Sequence, residues 1–201
     1  MRYKTGHKEE ARGRMIAAAG RGFRRKGFGG IGVDGLAKEA EVTSGAFYGH
    51  FASKEAAFEA AVATGLDDLA AGVRALQAEH GARWLERFVD FYLNERRTCD
   101  VGDACALQAL SPDVARGSAS AKAVFMEHMD GVLRAVADGL EGRTSQDRLD
   151  KAWSLLSLLS GGVTLARAVS DPAQSKAIAV GIRKGALALA AGRAVATPGS
   201  I

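Results

Sequence analysis

The chain has little cysteine, little proline and few aromatic residues, and each shortage removes a class of protein. Its 201 residues include two Cys, three Pro and 6% Phe, Trp and Tyr. Two thiols, Cys99 and Cys105, are too few for a disulfide framework or a four-thiolate zinc site. Scarce proline beside 39 Ala favours helix, because Ala loses no side-chain entropy and Pro is barred from helix interiors. Long apolar runs are missing too. The longest charge-free apolar stretch, residues 153–166, spans 14 residues. A membrane-crossing helix needs about 20. The first residues, MRYKTGHKEEARGRM, are charged throughout and lack the apolar core of a signal peptide. A soluble, cytoplasmic protein is expected.

The usual enzyme constellations are missing as well. The four His stand at 7, 50, 80 and 128, with no His-x-x-x-His pair. There is no Gly-x-Ser-x-Gly and no phosphate loop with Gly-Lys-Ser/Thr. The acidic pair Asp67-Asp68 reads as a solvated helix face. No catalytic residue, metal or cofactor is expected.

What is present is an ordinary folded composition, 47% apolar and 25% charged, with the charge unevenly placed. The first 55 residues carry eleven Lys/Arg against six Asp/Glu, a balance of +5, while the rest of the chain balances at −1. A basic head on a near-neutral body points to a local anionic partner for the head and a separate task for the body.

Periodicity predicts an all-α chain of about nine helices. Residues 8–26 repeat apolar Ala11, Met15, Ala18, Ala19 and Phe23 at helical spacing, with Arg14, Arg21, Arg24 and Arg25 opposite. Gly27, Gly29 and Gly30 then end the helix. A short helix follows over 33–41, with Val33, Leu36, Ala37 and Ala40 inward. Asp34 lies in its first turn, where the helix dipole favours a carboxylate. A third begins after the N-cap Thr43 and runs to about His50, with Phe47 and Phe51 buried. Ser53 caps a long helix to about 77, and 82–93 form an amphipathic one. The polar stretch 94–103, NERRTCDVGD, reads as a loop. Helices are then expected over 104–116, 119–140, 145–169 and 172–192, before a frayed tail.

Two short helices joined by a tight turn near residues 40–43 make a helix-turn-helix pattern. The second helix would enter the DNA major groove with Ser44, Gly45, Ala46, Tyr48 and Gly49 nearest the DNA. The run Gly27-Phe28, Val33-Asp34-Gly35-Leu36-Ala37 and Ala40-Glu41-Val42-Thr43-Ser44-Gly45-Ala46-Phe47-Tyr48-Gly49-His50-Phe51-Ala52-Ser53-Lys54-Glu55 resembles the N-terminal signature of the TetR (Tet repressor) family. The resemblance covers about residues 10–58. Residues 105–117, CALQALSPDVARG, are similar to one large branch of that family, more weakly. Beyond that, the chain is similar only in length and helical layout.

The resemblance implies a DNA-binding domain over 1–52 and a ligand-binding and dimerisation domain over 53–201. Tyr48 taken alone is a packing residue; in this motif it is expected to donate its hydroxyl to a phosphate. Lys54, next to the Ser53 cap, is expected at a phosphate. Thr43 caps its helix and can touch a phosphate. His50 is either a backbone-contacting residue or a structural histidine. Gly32 and Val33, at the start of the second helix, complete the expected DNA face. The family often has Ser or Thr where Gly32 stands, and a larger DNA-facing residue where Gly49 stands. No Arg, Lys, Asn or Gln is available for bidentate base contacts. Recognition is therefore expected to lean on DNA shape, on Thr43, Ser44 and Tyr48, and on an arm bearing Arg2, Lys4 and Lys8.

In the body, Phe88, Phe91, Tyr92, Leu107, Phe125, Met126 and Met129, together with Leu110, are bulky on an Ala-rich background. Each reads singly as core; together they are the candidate lining for a partly apolar small molecule. His128 and Tyr92 are candidates to orient it. Residues 152–169 are apolar on most sides, with Ser154, Ser157, Ser160 and Thr164 as a narrow polar stripe. A helix of that kind must be covered twice, once by its own core and once by something else. Trp153, Leu156, Gly161 and Gly162, with Ile178 and Ile182 of the last helix, are the candidate homodimer interface, which the resemblance also implies; a well-buried monomer core is the alternative. The expected function is a ligand-responsive regulator on a palindromic double-stranded operator, most simply a repressor released by an inducer. An activator, or a redox regulator using Cys99 and Cys105, is the alternative.

Overall fold

The structure, a computed structural model, describes residues 3–191, with side chains from residue 9 onward. Arg2, the side chains of Lys4 and Lys8, and the expected tail lie outside the described residues. Among the described residues there are nine α-helices and no strand. These are α1 (Tyr3–Gly30), α2 (Val33–Glu39), α3 (Ser44–Tyr48), α4 (Lys54–His80), α5 (Trp84–Thr98), α6 (Ala106–Arg116), α7 (Ala119–Asp138), α8 (Ser145–Ala168) and α9 (Pro172–Ala190). Short 3₁₀ turns, Gly81–Arg83 and Val101–Asp103, precede α5 and α6. No described helix is long and apolar enough to cross a membrane.

The expected helix starts hold at atomic detail. Thr43 Oγ1 accepts from Ala46 N–H, Ser53 Oγ from Ala56 N–H, Thr144 Oγ1 from Asp147 N–H and Asp171 Oδ1 from Ala173 N–H. Pro172 stands at the first turn of α9, where its missing N–H costs nothing. Part of an expected loop is helix. Residues 94–98, read as loop from their polarity, extend α5 to Thr98. Asn94 donates to Asp90 O, Arg97 to Leu93 O and Thr98 to Asn94 O, while Arg96 and Arg97 sit in the last turn, where the helix dipole favours cations.

The chain falls into two compact units, neither contiguous in sequence. The first comprises residues 1–68 and 100–129; the second comprises 69–99 and 130–201. The expected functional boundary near residue 52 falls inside the first unit, which includes α6 with the head.

In the first unit Phe23, Leu36, Phe47, Ala57 and Leu66 are fully buried. Phe23, Phe28 and Phe58 form a three-ring cluster with centroids 5.1–6.0 Å apart, and Phe47 meets Phe51 at 5.1 Å. Gly65 of α4 lies against Ala106 of α6 so closely that a side-chain carbon would overlap it. In the second unit Trp84 stacks on Phe88, which meets Tyr92 edge-on along α5. Leu155, Leu159 and Val163 of α8 and Ala186 of α9 are buried. Gly162 admits Ile182: an added Cβ would stand 2.7 Å from its Cγ1. Arg183 of α9 grips Asp90 of α5 through two bonds, of 2.6 and 3.2 Å. Hydrogen bonding to Asp90, then its charge, raises the Arg183 pKa.

Candidate nucleic-acid interface

α2 ends in a left-handed residue. Glu41 has φ 56°, Val42 N–H reaches back to Ala37 O at 2.9 Å, and Glu41 N–H reaches Lys38 O at 3.1 Å. This six-to-one and five-to-two pair is the Schellman stop, which turns the chain sharply toward α3. Glycine suits that position best; a glutamate there is strained. Asp34, in the first turn of α2, accepts from Ser44 Oγ at 2.6 Å and ties the two helices together.

Phe47 is fully buried, so the remaining residues of α3 point elsewhere. Thr43, Gly45, Ala46 and Gly49 are exposed, and Tyr48 is 57% exposed with its ring edge against Phe47. The expected DNA face is therefore a continuous accessible strip with one large polar tip, the Tyr48 hydroxyl. Gly32 caps α2 with no side-chain bond and is exposed; Val33 is half-buried. Ser44 is half-buried, with its proton committed to Asp34 and its oxygen still able to accept. His50 is half-buried, and its Nδ1 is buried without a partner.

Lys54, expected at a phosphate, and several arginines of the basic head are engaged within the protein. Lys54 Nζ donates to Phe28 O at 2.7 Å and Ile31 O at 3.1 Å, and lies 4.2 Å from the Phe28 ring centroid. Of the ammonium's three N–H donors, two are committed to backbone carbonyls. Arg25 donates to Glu39 at 2.7 Å and to Asp100 at 2.9 Å; hydrogen bonding to Asp100 leads the rise in its pKa. Arg21 also reaches Glu39, and Arg12 lies over the Phe51 ring. The basic head thus uses part of its charge to hold itself together.

Of the candidate ligand residues, Phe88 and Tyr92 are buried and Phe91 is half-buried under the Arg96 guanidinium, all in the second unit. Leu107 and Met129 are buried, Phe125 is half-buried and Met126 is 50% exposed, all in the first unit. His128 Nδ1 lies 2.8 Å from Asp67 Oδ1. The second unit contains an open groove of about 550 Å³ bounded by Gln77, Trp84, Leu85, Leu140 and Leu187. None of the seven candidate residues lines it. Of the candidate interface residues, Trp153 and Gly161 are exposed, Ile178 and Ile182 are half-buried, and Leu156 and Gly162 are buried within the chain. Leu165 and Val180, missed from sequence, add to the exposed apolar surface of α8 and α9.

Sequence reasoning also missed Glu41 and Asp113. The Asp113 carboxylate accepts from Phe28 N–H at 2.9 Å, across 85 residues of chain. A bond from a side chain to a distant backbone amide has no pattern in a sequence.

Residues 15–61 match the family model described as bacterial regulatory proteins, tetR family, which bears out the resemblance of the head. No protein of curated function matches the chain in sequence. Solved structures share the fold. A TetR-family transcriptional regulator from Streptomyces coelicolor superposes with a TM-score of 0.72 at 19% identity, covering 92% of this chain and 96% of its own. One from Cytophaga hutchinsonii gives 0.72 at 18% identity, over 94% and 96%. NemR of Escherichia coli in its reduced form gives 0.69 at 20% identity, over 87% and 96%.

Proposed function

We propose that this chain, which carries the tetR-family N-terminal region and the fold of TetR-family transcriptional regulators, is a dimeric, ligand-responsive regulator that represses from a palindromic operator. The observation that carries the reading is the α2–α3 pair, with Phe47 locked inward and Thr43, Gly45, Ala46, Tyr48 and Gly49 left accessible. One such head offers little area, so affinity and specificity require two of them on a two-fold site. The same reading puts the protein with the DNA in the cytoplasm.

The exposed apolar side chains of α8 and α9, Trp153, Leu165 and Val180, support self-association. A partly apolar inducer is assigned to the body at Phe88, Phe91 and Tyr92, with Leu107, Phe125, Met126 and Met129 as the second candidate set. Binding would favour a state whose two recognition helices no longer match successive grooves, with residues 53–78 carrying the shift. Such coupling needs unequal affinity of the inducer for the two states. Selection of bound DNA from a random pool, followed by titration at several salt concentrations, tests the reading. A palindrome bound with a steep salt dependence supports it; binding without sequence preference sinks it.

The redox alternative gains little. Cys105 is buried, and the Cys99 thiol is engaged, donating to Arg96 O and accepting from Arg167 Nη2 at 3.1 Å. Peroxide treatment that leaves operator affinity unchanged ends that alternative.

A further inference from the structure

α1 does not run unbroken to its end. Gly27 adopts φ 72° and ψ 166°, a conformation open essentially to glycine alone. The break interrupts the helical ladder and leaves the next amide, Phe28 N–H, in need of an outside acceptor. α6 supplies it. Asp113 Oδ2 accepts that proton at 2.9 Å, while Oδ1 receives the Arg116 guanidinium at 2.8 Å. The Asp113 side chain is only 13% exposed, so water does not readily replace it. A Cβ on residue 27 would stand 3.3 Å from Oδ2, so the glycine also makes room for the carboxylate.

The carbonyl of the same residue is held by α4. Lys54 Nζ donates to Phe28 O at 2.7 Å and to Ile31 O at 3.1 Å, one residue before the Gly32 cap of α2. The Phe28 ring is clasped by Phe23 of α1 and Phe58 of α4. Two helices outside the helix-turn-helix thus converge on Phe28, near the end of α1 and four residues before the cap of α2. All of these groups lie within the first compact unit.

We infer that Asp113 is a positioning residue that couples α6 to the DNA-reading helices through the Phe28 amide. This rests on the reading of the head as a DNA binder. A shift of α6 by a fraction of a hydrogen-bond length either drags the Phe28 peptide, and with it the start of α2, or breaks the bond. Lys54 keeps the junction on α4 meanwhile, so α4 and α6 act on the same hinge. A helix that merely packed on α1 through side chains would slide without moving that peptide.

Linkage makes the coupling measurable without an inducer, since whatever α6 does to DNA affinity, DNA does to α6. The full-length protein, with an operator duplex obtained by selection, is followed by amide hydrogen exchange. In the wild type, DNA is expected to slow exchange in residues 43–50 directly and in 106–116 by roughly fivefold through the hinge. In Asp113→Ala the slowing at 106–116 is expected to vanish while that at 43–50 persists. Asp113→Asn restores it, because the amide oxygen still accepts from Phe28. Gly27→Ala, which keeps the carboxylate but strains the break, is the second variant and is expected to weaken the response. A wild-type 106–116 that ignores bound DNA, or an Asp113→Ala response equal to wild type, overturns the inference. Absence of any slowing at 43–50 overturns the DNA-binding reading first, and this inference with it.

Discussion

The head and the α8–α9 pair are built from opposite materials. The head is locked by rings: Phe23, Phe28 and Phe58 form one cluster, and Phe47 with Phe51 another. α8 and α9 meet through small residues, with Gly162 admitting Ile182 and Ala186 fully buried. Rings fill space in one way only, so each motif residue of the head has a single position it can occupy. Small residues permit close backbones without saying which face they serve. Gly161 and Gly162 are neighbours in sequence, yet one has open space at its Cβ position and the other has Ile182. The first kind of packing identifies its residues; the second identifies only a closeness.

The largest effect expected from breaking this contrast is in the rings. Phe58→Ala removes a side chain that touches two others and should cost about 3–5 kcal/mol in denaturant unfolding. The glycine pair sharpens the other half. Gly162→Ala forces a carbon to within 2.7 Å of Ile182 Cγ1 and should destabilise by about 1–3 kcal/mol. Gly161→Ala meets nothing among the described residues and should gain up to about 1 kcal/mol of helix propensity. A large residue there, Gly161→Trp, should instead shift sedimentation toward monomer if that face pairs with a second copy. Next comes the turn between α2 and α3. Glu41→Gly should stabilise by about 1 kcal/mol by relieving the left-handed strain, read as a higher unfolding midpoint. The smallest change is at the DNA face. Tyr48→Phe should lower operator affinity by about fivefold, uniformly across sequences, as loss of one phosphate hydrogen bond requires.

The same contrast explains what the sequence disclosed. The helix-turn-helix was legible because its caps and rings sit at fixed spacing: Thr43 and Ser53 cap as expected, and Phe47 and Phe51 are buried. Three closely spaced glycines pointed to an end of the helix; the structure instead breaks it at Gly27 and carries it on to Gly30. The extension of α5 through Thr98 was not, since Asn94, Glu95, Arg96 and Arg97 look equally at home on a loop and on a solvated helix end. Lys54 was placed by the motif and its position beside the Ser53 cap, and its bonds to Phe28 O and Ile31 O were invisible because they end on backbone. Asp113 was hidden for the same reason. In the body, bulk alone nominated Met126 beside Met129; one is half exposed and the other fully buried, and neither lines the groove of the second unit. Apolar bulk marks that a residue is wanted somewhere, without marking on which side of the helix.

The central claim is that the thin, accessible α3 strip reads DNA as one of a symmetric pair. The most direct test is the stoichiometry and salt dependence of binding to the duplex selected from a random pool. The account predicts an even number of chains on a palindrome with half-sites about one helical turn apart, or a multiple of it, and affinity falling steeply with salt. A single chain bound to a sequence without two-fold symmetry, or no preference among sequences at all, would contradict it.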